Sequence, residues 1–344
     1  MTISKIKESR LLPAPEVSVV MPAYNAEKYI GEAIESLQAQ KLTDWELVIV
    51  DDGSTDSTLD IAARYAGNDN RITVYSSEPS SGAAFVPRMR AIILAQSDIV
   101  APLDADDYVD PDYLERLLGR KNETGATIVY PTMEYFNENG PFGDRLPNDE
   151  TLFKTSFAGK DTVIHTLDGW RINCGGGVID RNLYLSAFEE YGPSFNYSCG
   201  DELLTRLLLY SAPLVAFSSA IYHYRRNPES ITHKKSIKLF DWLRNRERLV
   251  KFMEDFYGKD SEEYRRAQRE NFLGIYEALR LLNRYKFDYL ENIHINELIG
   301  VSYQAIDWQL MKSEISAPYY YPLRASVREA RAAIRIMDLL KGRK

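Results

Sequence analysis

The chain has 344 residues, 44% of them apolar and 27% charged, the make-up of an ordinary soluble globular protein with a sizeable core. Its 50 acidic against 42 basic residues give a formal net charge of −8, so overall electrostatics exclude a nucleic-acid binder. Cys174 and Cys199 are too few for a disulfide framework and lack metal-ligand spacing. No run of about 18 apolar residues is available to span a bilayer, and the charged first ten residues do not read as a signal peptide. A cytoplasmic protein is expected, with any membrane contact peripheral and at the inner face.

Residues 1–15 read as a polar arm ending in Pro13 and Pro15. Glu16 to Met21 is an apolar run of strand length, ended by Pro22-Ala23-Tyr24-Asn25. Tyr29, Ile30, Ala33, Ile34 and Leu37 then recur at helical spacing over 27–40, with Asn25 as N-cap. A second strand over 46–50 ends at Asp51-Asp52-Gly53-Ser54-Thr55-Asp56. A helix over 57–66, a strand near 72–75, a loop with Pro79 and Gly82, a helix near 88–95 and a strand over 99–103 follow. Four alternations with near-continuous apolar strands predict an α/β fold, its mostly parallel sheet covered on both faces. Ligands bind beyond the carboxyl ends of such strands, where Tyr24, Asp51, Asp52 and Asp104 stand.

Downstream, a helix over 111–119 and a strand over 127–130 precede a loop-rich stretch, 134–170. Cys174-Gly175-Gly176-Gly177 brings backbone close either to a tight turn or to a ligand. An amphipathic helix over 201–210 opens on two carboxylates, and short strands are expected at 215–217 and 221–224. From about Ile237 the pattern is mainly helical.

Asp104, Asp106 and Asp107 put three carboxylates within four residues, directly after a buried strand. Crowded, poorly solvated like charges are costly, and a divalent cation with a bound diphosphate would offset that cost. A solvated acidic loop is the bland reading; the neighbouring polar strand ends favour the functional one. If extended, Asp104 and Asp106 would address different parts of one ligand. Asp51 and Asp52 exceed what a helix cap needs, and one of them could accept a bond from a base imide or a ribose hydroxyl. Asp201-Glu202 suits a helix start by its dipole alone, with a general base as the alternative. In Tyr222-His223-Tyr224-Arg225-Arg226, the arginine forks suit phosphate or carboxylate, and a lone histidine is more often structural.

Taken together, "VSVVMPAYNAEKYIGEAIESLQAQ", "WELVIVDDGSTDST", "SDIVAPLDADDYVDPDYL", "GDELLTRLLLYSA" and "YHYRRNPESIT" resemble the family 2 glycosyltransferases in order and spacing over about 16–232. The resemblance implies a GT-A-type, Rossmann-like sheet and inverting transfer of a sugar from a nucleotide donor, usually UDP-linked, with Mn²⁺ or Mg²⁺. It implies that Pro22, Ala23 and Tyr24 line the nucleotide pocket, that Asp52 bonds the uracil beside Asp51, and that Asp104 lies near ribose or donor sugar. Asp106 would bind the metal, Asp201 would deprotonate the acceptor hydroxyl, and His223 would be a further metal ligand or phosphate contact. Gly200-Asp201-Glu202 stands where the family usually reads Glu-Asp, so the base is Asp201 or Glu202. Arg88-Met89-Arg90 replaces the usual Arg-Asn pair, with Arg88 the candidate diphosphate contact. The expected division is an arm (1–15), a catalytic domain (16–232, the donor nucleotide held by 16–110 and the acceptor by 111–232) and a helical region (233–344).

The acceptor implied is a glycan or lipid-linked glycan in polysaccharide or glycoconjugate synthesis. A sugar-nucleotide nucleotidyltransferase is the enzyme alternative, disfavoured because no Gly-rich basic loop follows the first strand. An inactive sugar-nucleotide-binding subunit is the non-enzyme alternative. Beyond the matched region, Lys234, Lys235, Lys238, Arg244, Arg246, Arg248 and Lys251 precede a second basic ladder, Arg324, Arg328, Arg331 and Arg335, in a helix expected over 323–344. Packing is preferred for both, over peripheral membrane docking or a homodimer interface.

Overall fold

The computed structural model describes residues 2–7, 14–143, 145, 150–167, 175–191, 200–226 and 237–331. Two compact units divide the chain, Met1–Asn227 and Pro228–Lys344. The boundary expected at 232/233 falls outside the described residues, as do both cysteines and Arg335.

The first unit is a sheet of eleven strands among the described residues, with helices against it. In chain order it runs β1 (Thr2–Lys7), β2 (Val17–Ala23), α1 (Ile30–Gln38), β3 (Trp45–Asp51), α2 (Thr58–Asn68), β4 (Ile72–Glu78), α3 (Phe85–Leu94), β5 (Ile99–Pro102) and β6 (Tyr108–Val109). It continues through α4 (Tyr113–Thr124), β7 (Ile128–Asn137), β8 (Gly140–Pro141), β9 (Ser156–Phe157), α5 (Gly159–Thr162), β10 (Val178–Asp180), α6 (Arg181–Tyr191), α7 (Gly200–Ser211) and β11 (Val215–Arg225). The sheet order is β1-β4-β3-β2-β5-β10-β7-β11-β6. Strands β4, β3, β2 and β5 are parallel, as the apolar runs predict, and so are β7 and β11. Short β10 is antiparallel to both β5 and β7 and joins the two parallel sets.

Both faces of the parallel set are covered, and β2 and β3 are buried along their whole length. Val17, Val19 and Met21 of β2 and Leu47 and Ile49 of β3 share one core with Ile30, Ile34 and Leu37 of α1 and with Leu114 and Leu117 of α4. Val20 and Val48 alternate to the other side, where α3 packs. A continuous apolar strand is therefore what this position requires.

Three local expectations are corrected. Residues 2–7 are not part of a free arm but an edge strand, antiparallel to β4; an edge ladder needs little apolar content, so its sequence signal is weak. The two short strands near 215 and 221 are one strand, β11, with a register irregularity between Phe217 and Ile221 where Ser218-Ser219-Ala220 interrupts the apolar run. The loop-rich stretch opens with ordered structure: β7 runs on to Asn137 and folds back as β8. The glycine run approaches backbone, not a crevice: a Cβ on Gly177 (φ +89°) would lie 2.3 Å from the Val129 carbonyl oxygen of β7.

The second unit is helical: α8 (Trp242–Tyr257), α9 (Glu262–Arg284), α10 (Tyr289–Gln304), α11 (Trp308–Glu314) and α12 (Ala317–Ala325). Phe240, Leu243, Phe272, Ile275, Leu279, Leu298, Ile299, Met311 and Leu323 form its core. Asp288 and Glu291 cap α10 reciprocally. Several basic residues of the two ladders are engaged within the unit. Arg246 lies 5.0 Å over Trp242, Arg324 lies 4.9 Å over Trp308, and Arg331 donates to Asn283 Oδ1 at 2.9 Å. Among the described residues, no helix is long and apolar enough to cross a membrane.

Replacing Gly177 with alanine meets both a left-handed φ and a backbone oxygen that cannot move without opening the sheet. Gly177→Ala is expected to lower unfolding free energy by about 2–4 kcal/mol, read from denaturant midpoints. Gly300→Ala, whose added Cβ meets nothing within 4 Å, is the control and should be neutral or stabilising.

Candidate active site

The ends of β2 and β3 form one wall of the site. Pro22 and Ala23 are buried, and Tyr24 projects beyond them, 50% exposed. Asn25 is not the cap of α1. Its backbone takes φ +49°, its Oδ1 accepts from the Thr55 N–H at 2.9 Å, and its N–H donates to Ser54 Oγ at 3.0 Å. With Ala26 N donating to Thr58 Oγ1 at 2.7 Å, the turns after β2 and β3 are stapled together.

Asp51 and Asp52 end β3, both almost fully buried. Asp52 Oδ2 accepts three bonds, from Ser80 Oγ (2.9 Å), Ser81 N (2.8 Å) and Ser81 Oγ (2.8 Å). Asp51 Oδ2 accepts from Ser54 N at 3.1 Å. The Oδ1 atom of each is buried with no hydrogen-bond partner. Unmet acceptors of this kind cost about 1–3 kcal/mol each, a cost that a ligand donor would offset. Burial raises the Asp51 pKa, bonds from Ser54 oppose the shift, and the Asp52 charge adds to it. Gly53 lets the next loop close on this strand end, since a Cβ there would lie 3.2 Å from Ser80 N.

Beyond β5 the acidic stretch is a turn and not extended: Asp107 N donates to the Asp104 carbonyl at 3.1 Å. Its three carboxylates are therefore gathered, and each is handled differently. Asp104 accepts from Arg88 Nη2 of α3 at 2.6 Å, and Arg88 is buried. Asp106 remains partly exposed, while its carbonyl accepts from Arg225 Nε at 2.7 Å. Asp107 is buried and takes bonds from the Tyr222 hydroxyl and the Arg225 N–H, both at 2.7 Å. The Tyr222 oxygen also accepts from Asp104 N at 3.2 Å. Burial, then the charges of Asp106 and Asp104, push the Asp107 carboxyl well above the usual range.

Strand alternation along β11 separates two jobs. Tyr222 meets the acidic turn, and Tyr224 lies in the combined field of Asp107, Asp104, Asp106 and Asp201. His223 points the other way. Its Nε2 is 2.8 Å from Asp110 Oδ1, its Nδ1 is 3.0 Å from Glu134 Oε2, and its ring stacks on Tyr108 at 4.2 Å. His223 thus lies between two carboxylates, on the side of β11 away from Tyr222.

Asp201 opens α7, partly buried, with its Oδ1 accepting from Glu202 N at 3.1 Å. Burial pushes its carboxyl up to about 6; Arg88 opposes the shift, and Glu202 and Asp104 add to it. Asp201 is thus electrostatically joined to the turn after β5, although 97 residues separate Asp104 from Asp201 in sequence. Glu202 is exposed. The sequence reading missed Tyr222, Tyr224, Ser80 and Ser81 as site residues. Alternation in Tyr222-His223-Tyr224 was the one available signal for the first two, and nothing marked the serines.

The chain is thus an α/β protein with a doubly covered sheet, its acidic groups gathered beyond the carboxyl ends of the parallel strands. Residues 18–178 match the model of glycosyl transferase family 2. EpsH of Bacillus subtilis strain 168, provisionally named a glycosyltransferase, is 28% identical over 83% of this chain and 83% of its own length. The Staphylococcus aureus poly(ribitol-phosphate) beta-N-acetylglucosaminyltransferase TarS is 30% identical over 62% of this chain and 36% of its own length. The crystal structure of residues 1–349 of S. aureus TarS in complex with UDP-GlcNAc superposes with a TM-score of 0.65 at 20% identity, covering 92% of this chain and 90% of that one. The likeness in structure shows a shared fold.

The raised Asp51 pKa has a consequence for stability. The folded state holds this proton to higher pH than the unfolded chain, so Asp51 lowers stability as pH rises from about 4 through the folded pKa. Asp51→Asn keeps the acceptor for Ser54 N. The variant should lose less unfolding free energy than wild type between about pH 4 and pH 7 in urea titrations.

Proposed function

We propose that the protein is an inverting glycosyltransferase that moves a sugar from a UDP-linked donor to a glycan or lipid-linked glycan acceptor, using a divalent cation. The observation that carries the reading is the electrostatic coupling of Asp201 to the Arg88–Asp104 pair: a carboxyl raised by burial to about 6 feels the charges of both partners of the acidic turn's ion pair. The two buried, unmet acceptors on Asp51 and Asp52 support a nucleobase edge at the end of β3. A UDP donor is further supported by the TarS crystals in complex with UDP and with UDP-GlcNAc.

The donor set also fits Mn²⁺ or Mg²⁺. Such ions at diphosphates take one or two carboxylates and complete their shell with phosphate and water. Asp106, partly exposed on the turn, would hold the ion, beside Asp104 bonded to Arg88 and Asp107 buried against Tyr222 and Arg225. Among the described residues, no three His, Cys, Asp or Glu side chains form a metal cage, so the remaining ligands would come with the donor. Bound there, the cation would neutralise charge building on the leaving diphosphate.

Asp201 accepts the proton of the acceptor hydroxyl as the acceptor oxygen bonds to the anomeric carbon and the bond to UDP breaks. A carboxylate near 6 is basic enough to assist and still ionised at pH 7. Attack from the side opposite the leaving group inverts the anomeric centre. Exposed Glu202 lacks the burial that tunes Asp201.

The test is UDP release from a panel of UDP-sugars with Mn²⁺. Asp201→Asn should lower kcat about 10²–10⁴-fold while UDP affinity is retained; unchanged turnover would move the base to Glu202. Asp106→Asn should remove nearly all metal-dependent turnover. The kcat/KM profile should rise with pH through an apparent pKa of about 6, because Asp201 must be deprotonated to act. A profile flat from about pH 5 to 8 would contradict that role.

A further inference from the structure

Tyr224 and Tyr135 stand side by side in the parallel register of β11 and β7, their ring centres 5.4 Å apart. Tyr135 in turn meets Phe142, just past β8, at 6.3 Å. Tyr224 is 36% exposed, and Tyr135 and Phe142 are partly exposed. Tyr224 lies on the face of β11 that Tyr222 uses to hold Asp107. Burial, then the charges of Asp107, Asp104, Asp106 and Asp201, raise the Tyr224 pKa far above the ordinary phenol range, so the side chain stays a neutral donor. An aromatic shelf therefore begins on the face of β11 that holds the acidic turn, with the charge of Asp201 felt at its Tyr224 end.

We propose that Tyr224, Tyr135 and Phe142 form the acceptor subsite, and that the acceptor group they take is a pyranose ring. The inference rests on the transferase reading above and names the substrate class of its second half. A pyranose presents a rigid face of C–H groups that fits the apolar face of an aromatic ring, with its hydroxyls directed from the rim. An open-chain polyol has no such face and loses more internal freedom when ordered. Sugar stacked here would hold a hydroxyl toward Asp201.

The experiment uses the full chain with UDP and Mn²⁺. Saturation-transfer NMR follows methyl pyranosides and short oligosaccharides of the common hexoses, hexosamines and deoxyhexoses, with ribitol, glucitol and farnesyl phosphate as the contrasting probes. UDP affinity is measured on every variant by calorimetry. The expected result is binding of at least one pyranoside, weakened at least about tenfold by Tyr224→Ala and by Tyr135→Ala while UDP affinity stays within about twofold. Tyr224→Phe keeps the ring and should keep the pyranoside, which separates stacking from a general loss of structure. The proposal is overturned if the alanine variants bind pyranosides like wild type. It is also overturned if alditols or farnesyl phosphate bind where pyranosides do not, or if UDP binds normally and no pyranoside does. Failure of wild type to bind UDP would instead overturn the transferase reading, and this proposal with it.

Discussion

Crowded negative charge at one end of the sheet is the constraint on which the site depends. Two carboxylates about 4 Å apart repel by roughly 4 kcal/mol at an effective dielectric of 20, and more where water is excluded. Asp104, Asp106 and Asp107 would drive their own turn open if left to themselves. They are held instead by neighbours of three kinds. Arg88 supplies a buried cation to Asp104, Arg225 ties the Asp106 carbonyl, and the Tyr222 hydroxyl links Asp107 to the Asp104 N–H. What remains is a turn with negative potential and two partly exposed carboxylates, Asp104 and Asp106, an arrangement that favours a cation.

That restraint comes largely from one strand. β11 uses one face to hold the acidic turn through Tyr222 and to present Tyr224. With the other it anchors itself through His223 against Asp110, Glu134 and Tyr108. Arg225 also pairs with Glu32 of α1 and lies over Tyr29. The acidic turn is thus braced by the strand that carries Tyr224. A site built on strands and a helix terminus can hold reacting groups more closely than one built on loops alone.

The parallel half of the sheet was legible in the sequence because strands buried on both faces are near-continuously apolar: Leu47 to Val50 has no polar residue, and Val17 to Met21 has only Ser18. The strand ends were legible for the same reason: Asp51, Asp52 and Asp104 interrupt such runs abruptly. Edge strand β1 was not, since an edge needs only backbone partners. The geometry of the acidic turn was also hidden. The groups that gather it, Tyr222 and Arg225, lie more than a hundred residues away, and nothing local in Leu103 to Asp107 requires a turn. The surroundings of His223 were hidden too: Asp110 and Glu134, the carboxylates on its two sides, come from separate parts of the sheet.

The central claim is that the acidic turn takes its cation together with a nucleoside diphosphate. Calorimetric titration of UDP into the full chain, with Mn²⁺ and then with the metal chelated, tests it directly. The account predicts UDP binding at least about tenfold tighter with Mn²⁺, because the turn's repulsion is relieved only when cation and diphosphate are bound together. Equal affinity in the two conditions, or none in either, would contradict it.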